Sequence, residues 1–213
     1  MRQWSSSPSA LSWGECHWRT NYLGTVHLTT LLLPLLLETG RREGQARIVN
    51  VSSQLHSRGS NDDLFGWQRP YNSWQAYGNS KLALHHFTSE LQRRYGSSDK
   101  LQSYCLHPGG RGGTYTQVAN KGLENHRLMY WLNRLGSPLQ KLLMSSPEEG
   151  AQTQIHCATA ADAMGGLYYR NCAPSQASND SADTKIAARL WQETQKWLTC
   201  GDQLAGDLRQ SKG

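Results

Sequence analysis

"RIVNVSS", residues 47–53, is a short run rich in β-branched residues that ends in two hydroxyls. Ile48, Val49 and Val51 crowd apolar side chains onto it, the pattern of a central parallel strand covered on both faces. Its neighbours decide the fold. Downstream, "SWQAYGNSKLALHHFTSELQRRYG" (73–96) carries Tyr77, Leu82, Leu84, Phe87 and Leu91 as its apolar positions. It closes on Arg93, Arg94 and Gly96, basic residues and a glycine that stop a helix. "LQSYCLHPGG" (101–110) then reads as a second strand, broken at Pro108. Two strands joined by a helix of that length need a crossover and therefore lie parallel, which defines an α/β sheet.

Upstream, apolar residues from Asn21 to Leu37 fall on most sides of a helix, the pattern of one covered nearly all round. Its run "LTTLLLPLLL" (28–37) is about half a membrane span and is interrupted by Pro34, so it is read as a buried helix, with no transmembrane segment in the chain. "SPEEGAQTQIHCATA" (146–160) opens a further helix, with Ser146 as cap, Pro147 at its first position and Glu149 completing a capping box. "GGLYYRN" (165–171) is a short final strand, and "NCAPSQASNDSADT" (171–184) a small-residue loop. In "ADTKIAARLWQETQKWLT" (182–199), Ile186, Leu190, Trp197 and Leu198 recur at helical spacing and predict docking by an apolar stripe.

The 213 residues suffice for one sizeable domain. Apolar residues make up 37% and mean hydropathy is −0.66, on the polar side for a packed α/β domain, so poorly covered segments are expected. The net charge of +6 is dispersed, with only Arg41-Arg42 and Arg93-Arg94 adjacent, and no nucleic-acid partner is expected. Cys16, Cys105, Cys157, Cys172 and Cys200 are widely spaced and odd in number; they indicate neither a disulfide framework nor a metal site, and are read as reduced, mostly buried thiols. The start lacks the apolar core of a signal peptide.

In an open α/β sheet, ligands bind beyond the carboxyl ends of the strands. Ser53 ends one strand, Tyr77 and Lys81 stand on the next helix, and "HPGG" ends the following strand. A spacing of four puts phenol and ammonium on one helix face. A cation beside a phenol favours the phenolate, drawing a pKa of about 10 toward the working range of a general acid or base. With a serine hydroxyl to hold a substrate oxygen, this is equipment for hydride transfer between an alcohol or carbonyl and a nicotinamide. Each piece has a plainer reading: the serines as a strand-end turn, Asn21 as a helix cap, His107 as a satisfied strand-end histidine.

Taken in order, "NYLG", "RIVNVSS", "YGNSK" and "LHPG" resemble the successive motifs of the short-chain dehydrogenase/reductases, from about Asn21 to Cys200. "KLALHHFTSELQRR", "SSPEEGAQTQIHCATA" and "GGLYYRN" resemble the retinol-dehydrogenase-like branch, most of all its X-linked dehydrogenase/reductase type. The resemblance implies that Tyr77 is the acid/base and that Lys81 binds the nicotinamide ribose. Ser53 would orient the substrate oxygen, with Ser52 the second choice, and Asn21 would hold a water linking the lysine to solvent. Pro108 and Gly109 would pass beneath the nicotinamide. It implies an NADP(H) or NAD(H) cofactor and a hydrophobic small-molecule substrate such as a retinoid, steroid or polyprenol.

The family also opens with a strand and a T-G-x-x-x-G-x-G loop, which cradles the cofactor pyrophosphate at a helix N-terminus. No such loop precedes Asn21. "GGRGG" (109–113) follows a strand but fails the G-x-G-x-x-G spacing at Tyr115, and Thr114 arrives one residue late for the family's P-G-x-x-x-T. The expected fold is therefore the C-terminal portion of a Rossmann-type doubly wound parallel sheet, with the N-terminal dinucleotide-binding half missing. Residues 1–20 read as an atypical leader, 21–200 as a truncated domain and 201–213 as a polar tail. The strand around Val49 would then expose an edge and one helix face. Two functions follow from the resemblance: an NAD(P)-dependent oxidoreductase interconverting a hydrophobic alcohol and its carbonyl compound, or a catalytically inactive fragment. Such a fragment would act as a homo- or hetero-oligomeric interaction partner of a full-length relative.

Overall fold

The computed structural model describes residues 15–66, 70–108 and 147–210. Strand β1 (Ala46–Val51) pairs in parallel with β2 (Leu101–His107), Ala46 opposite Leu101 and Val51 opposite Leu106. Parallel to β2 runs β3 (Tyr168–Arg170), with Cys105 opposite Tyr168. A two-residue β4 (Ala173–Pro174), inside the stretch expected as a loop, turns back antiparallel to β3. Asn171 and Cys172 both adopt positive φ to make that tight reversal, a conformation for which asparagine is among the better suited residues.

Helix α1 (Gly24–Glu43) continues a π-helical turn, Trp18–Leu23, and precedes β1; α2 (Ser73–Tyr95) connects β1 to β2. Helix α3 (Pro147–Thr159) and the long C-terminal α4 (Thr184–Gln210) complete the described elements. The period-two alternation of the strands sorts side chains onto two covered faces. Ala46, Ile48 and Leu101 face α1, α2 and α4 in one core with Trp18, Tyr22, Leu82, Phe87, Leu91 and Leu190. On the other face, Tyr104, Leu106 and Tyr169 pack with Cys157 of α3, and Val49 joins them. Helices on both sides of a mainly parallel sheet are the doubly wound arrangement that the order of elements predicted.

Helix ends follow local chemistry. Asn72 caps α2 by accepting from the Trp74 and Gln75 amides, and Asp183 does the same for Lys185 and Ile186 at the start of α4. The apolar stripe of α4 docks as expected: Leu190 is buried, Ile186, Trp197 and Leu198 pack around it, and Trp191 stacks on Phe87 at 5.6 Å. Ser146, the expected cap of α3, lies outside the described residues.

Two expectations need correction. Asn21 is not a helix cap, because it stands within the continuous π-to-α run that begins at Trp18. Nor is α1 covered all round. Its inner face buries Val26, Thr29 and Gly40, where a Cβ on Gly40 would strike the Asp99 carbonyl. Its outer face leaves Leu28, Leu31, Leu32 and Leu35 exposed, with Leu31 at 68%. The reason is geometric: a helix lying on a sheet contacts it along one stripe, and among the described residues nothing packs on the other side. The helix stays intact through Pro34, and the run Trp18–Glu43 is long and apolar enough to cross a membrane by length and composition. Beside α1, β1 forms one edge of the described sheet, as the sequence suggested. The thiols of Cys105 and Cys157 are buried, Cys172 is half-buried and Cys16 is exposed; all four are free.

Candidate active site

The carboxyl ends of β1 and β2 meet the first turns of α2. The ladder extends one residue past β1, the Ser52 amide donating to the Leu106 carbonyl at 2.7 Å, so Ser52 is held as rigidly as the strand. Its side chain is 3% exposed. The hydroxyl donates to the Lys81 carbonyl at 3.1 Å and meets His85 Nε2 at 3.1 Å, which occupies both its proton and its acceptor side. Ser53 is different. It turns out of the strand, half-buried, its Oγ accepting from the Leu55 amide at 3.2 Å to cap the 3-10 turn Gln54–Arg58. That bond leaves its own proton uncommitted.

Tyr77 and Lys81 share one face of α2, the Lys81 ammonium lying 5.6 Å from the centre of the Tyr77 ring. Lys81 Nζ donates to the Val51 carbonyl at 3.0 Å, which anchors it over the end of β1. Burial draws Lys81 below its ordinary range, against the opposing pull of Cys105. No carboxylate among the described residues pairs with this ammonium. Two of its three N–H donors therefore remain for other oxygens.

Asn21 reaches the same turn through an intermediary. Its Nδ2 donates to Ser80 Oγ at 3.1 Å, and Ser80 Oγ donates to the Tyr77 carbonyl at 2.7 Å. The β2 end is tied in as well: His107 Nδ1 accepts from the Gln54 amide at 3.3 Å, placing Pro108, the next residue, beside the Ser53 turn. Gly109 and Thr114 lie outside the described residues. Of the residues singled out from sequence, Tyr77, Lys81, Ser53, Ser52, Asn21 and Pro108 thus all fall at one end of the sheet.

Four participants were missed. Gly78 and Gly59 face each other where the Ser53 turn crosses α2; a Cβ on Gly78 would lie 2.8 Å from the Leu55 carbonyl and 2.9 Å from the Gly59 amide. Only glycine lets the two backbones come so close. The motif "YGNSK" contained the residue but not its partner, which sits nineteen positions upstream. Ser80 and His17, whose ring stands edge-on to Tyr77 at 5.7 Å, were likewise invisible without the fold.

A helix tyrosine with a lysine one turn on, beside a strand-end hydroxyl, thus stands at the carboxyl end of a doubly wound α/β sheet. The model of the short chain dehydrogenase family matches residues 9–124, more than half the chain, and the protein belongs to that family. Its relatives place it in the retinol-dehydrogenase-like branch. It is 39% identical to the mouse retinol dehydrogenase 12 over 83% of this chain and 52% of that protein. It is 35% identical to the mouse polyprenol dehydrogenase over 84% of this chain and 52% of that one. Among solved structures, an uncharacterised protein from Mycobacterium paratuberculosis superposes with a TM-score of 0.54 at 29% identity, over 83% of this chain and 56% of the other. The chain spans about half the length of the curated relatives it matches.

The residues present suit the nicotinamide-ribose end of a dinucleotide. The two spare N–H donors of Lys81, at the carboxyl end of β1, match a pair of ribose hydroxyls.

Proposed function

We propose that this chain carries the acid/base centre of an NAD(P)-dependent oxidoreductase that interconverts a hydrophobic alcohol and its carbonyl compound. The single observation that carries the reading is Lys81: a partly desolvated ammonium, anchored to Val51, with donors to spare and Tyr77 beside it on the same helix face. The names of the relatives, a retinol and a polyprenol dehydrogenase, supply the substrate class.

Tyr77 exchanges its phenolic proton with the substrate oxygen, taking it from the alcohol in oxidation and giving it to the carbonyl oxygen in reduction. The Ser53 hydroxyl, whose proton is uncommitted, donates to that same oxygen and orients it; Ser52 is occupied by Lys81 and His85 and serves as a brace. Lys81 holds the ribose hydroxyls of the cofactor, and Asn21 steadies the Tyr77 turn through Ser80. Pro108, with Gly109 after it, supports the nicotinamide face. Bound NADP(H) or NAD(H) supplies or accepts the hydride, chemistry no side chain offers.

A second reading is favoured by a separate observation, the exposed leucine face of α1 beside β1, which no other strand among the described residues pairs on its outer side. On that reading the chain acts as an interaction partner for a longer relative, burying this surface. Thermal unfolding of the full chain against NADPH and NADH separates the two. A midpoint rising with cofactor concentration supports the oxidoreductase; no shift at millimolar cofactor, with co-purification of a longer relative, supports the partner.

A further inference from the structure

Two histidines that this chemistry does not use are built into the site. His56 lies in the 3-10 turn after Ser53, and His85 stands one helical turn after Lys81. Both are buried, and their rings stack at 4.1 Å with an interplanar angle of 26°.

Their hydrogen bonds fix opposite tautomers. His56 Nδ1 lies 2.7 Å from the Ser53 carbonyl, which can only accept, so Nδ1 carries the proton. Its Nε2 receives the Ser178 amide at 3.1 Å and must be bare. Ser52 spends its one hydroxyl proton on the Lys81 carbonyl. The contact with His85 is then satisfied only if His85 Nε2 carries a proton and donates to Ser52 Oγ.

Each ring therefore clamps a different part of the centre. We propose that the stacked His56–His85 pair is a positioning device: His56 fixes Ser53 to the segment at Ser178, and His85, through the Ser52 hydroxyl, fixes the backbone of Lys81. The inference rests on the reading of Ser53 and Lys81 as members of the reacting centre.

The surroundings keep the pair neutral. Tyr168 packs against both rings at 5.1 and 4.9 Å, His86 follows His85 on α2, His107 faces His56 from β2 with Arg170 beyond it on β3, and Cys105 and Lys81 adjoin Ser52. Burial lowers His56 and takes His85 well below its ordinary value, while burial holds the Cys105 thiol up at about 12. Protonating His56 would set an N–H against the Ser178 amide.

His56 also connects the centre to its margin. Together with Gln54, Tyr168, Arg170, Ser175 and Ser178, it lines an open cleft of about 260 Å³ beside the Ser53 turn. A group entering the cleft meets the same imidazole that holds the Ser53 carbonyl.

The test begins with the wild-type full chain and needs no turnover. In long-range 1H–15N spectra at pH 7, His56 is expected as the Nδ1–H tautomer and His85 as Nε2–H. Neither should titrate where an exposed histidine does, near 6.5. His56 as Nε2–H, or either ring averaging between tautomers, overturns the proposal even if variants fail to fold. Next come His85→Leu, which removes the donor, and His85→Gln, whose amide restores one. His85→Leu should displace the Lys81 and Ser53 amide signals and, in the cofactor-loaded protein, lower kcat about tenfold to a hundredfold at near-constant KM, with His85→Gln recovering most of both. If His85→Leu leaves the signals and kcat in place, the clamp is overturned. If the tautomers and displaced signals appear but Tyr77→Phe turns over like wild type, the positioning stands and the reading of the reacting centre fails.

Discussion

The inner face of α2 and the outer face of α1 reverse the usual rule of burial. Helix α2 buries Asn79, Ser80, His85, His86, Thr88 and Glu90, polar side chains one would look for at a surface. Helix α1 presents Leu28, Leu31, Leu32 and Leu35 to solvent. Polar groups enter the α2 interface because partners await them: Asn50 for Thr88, Asn61 for His86, Ser52 for His85, and Arg93 with Arg94 for Glu90. The leucines of α1 stay out because the sheet can cover only one stripe of a helix. Burial is set by what the fold brings opposite, and side-chain hydropathy is only its usual proxy.

The largest expected effect lies on the α2 side. Leu82→Ala, at a fully buried position, should cost about 2–5 kcal/mol in urea unfolding. A cost below 1 kcal/mol would mean α2 is not clamped between the sheet and α4. Next is the pH response of the buried imidazoles. Burial takes His86 down to about 4, against the pull of Asp183 and Asp180, while its Nδ1 has no hydrogen-bond partner among the described residues. A base whose folded pKa is depressed favours the native state while neutral, so stability is full above about 6.5 and is lost as pH falls toward 4. His86 alone contributes on the order of 3 kcal/mol to that loss, and His56 and His85 act in the same direction. Urea midpoints between pH 7 and 4 should fall steeply in wild type and less so in His86→Gln. Equal slopes would remove His86 from the account.

Smaller still is Gly78→Ala. Overpacking against Leu55 and Gly59 should cost about 1–3 kcal/mol and displace the Ser53 turn from α2. A neutral substitution would show that the two backbones are not in contact. On the other side of the comparison, Leu31→Glu should change unfolding free energy by no more than about 0.5 kcal/mol. If it costs as much as Leu82→Ala, the α1 face is covered in solution.

The same contrast marks what could be read from sequence. Strands β1 and β2 and helix α2 were legible because composition and end signals agree: a short β-branched apolar run, a glycine stop, Pro108. Tyr77 and Lys81 were legible because their spacing puts them on one face whatever the tertiary structure. The choice between Ser52 and Ser53 could be posed but not closed, since it depends on which hydroxyl His85 and the Lys81 carbonyl occupy. Likewise α1 offered apolar residues on most sides, so its pattern did not mark which side faced the sheet. The Gly59–Gly78 crossing and the His56–His85 stack join residues far apart in the chain, and only register places them together.

The proposed reaction turns on Tyr77 moving the proton. The most direct measurement is turnover of retinal with NADPH, and of retinol with NADP, by the full chain against its Tyr77→Phe variant. Removing one hydroxyl from an otherwise unchanged ring should lower kcat by about 10²–10⁴ with cofactor protection of the fold retained. A variant as active as wild type, or a wild type that binds cofactor yet turns over neither retinoid nor any other hydrophobic alcohol, would contradict it.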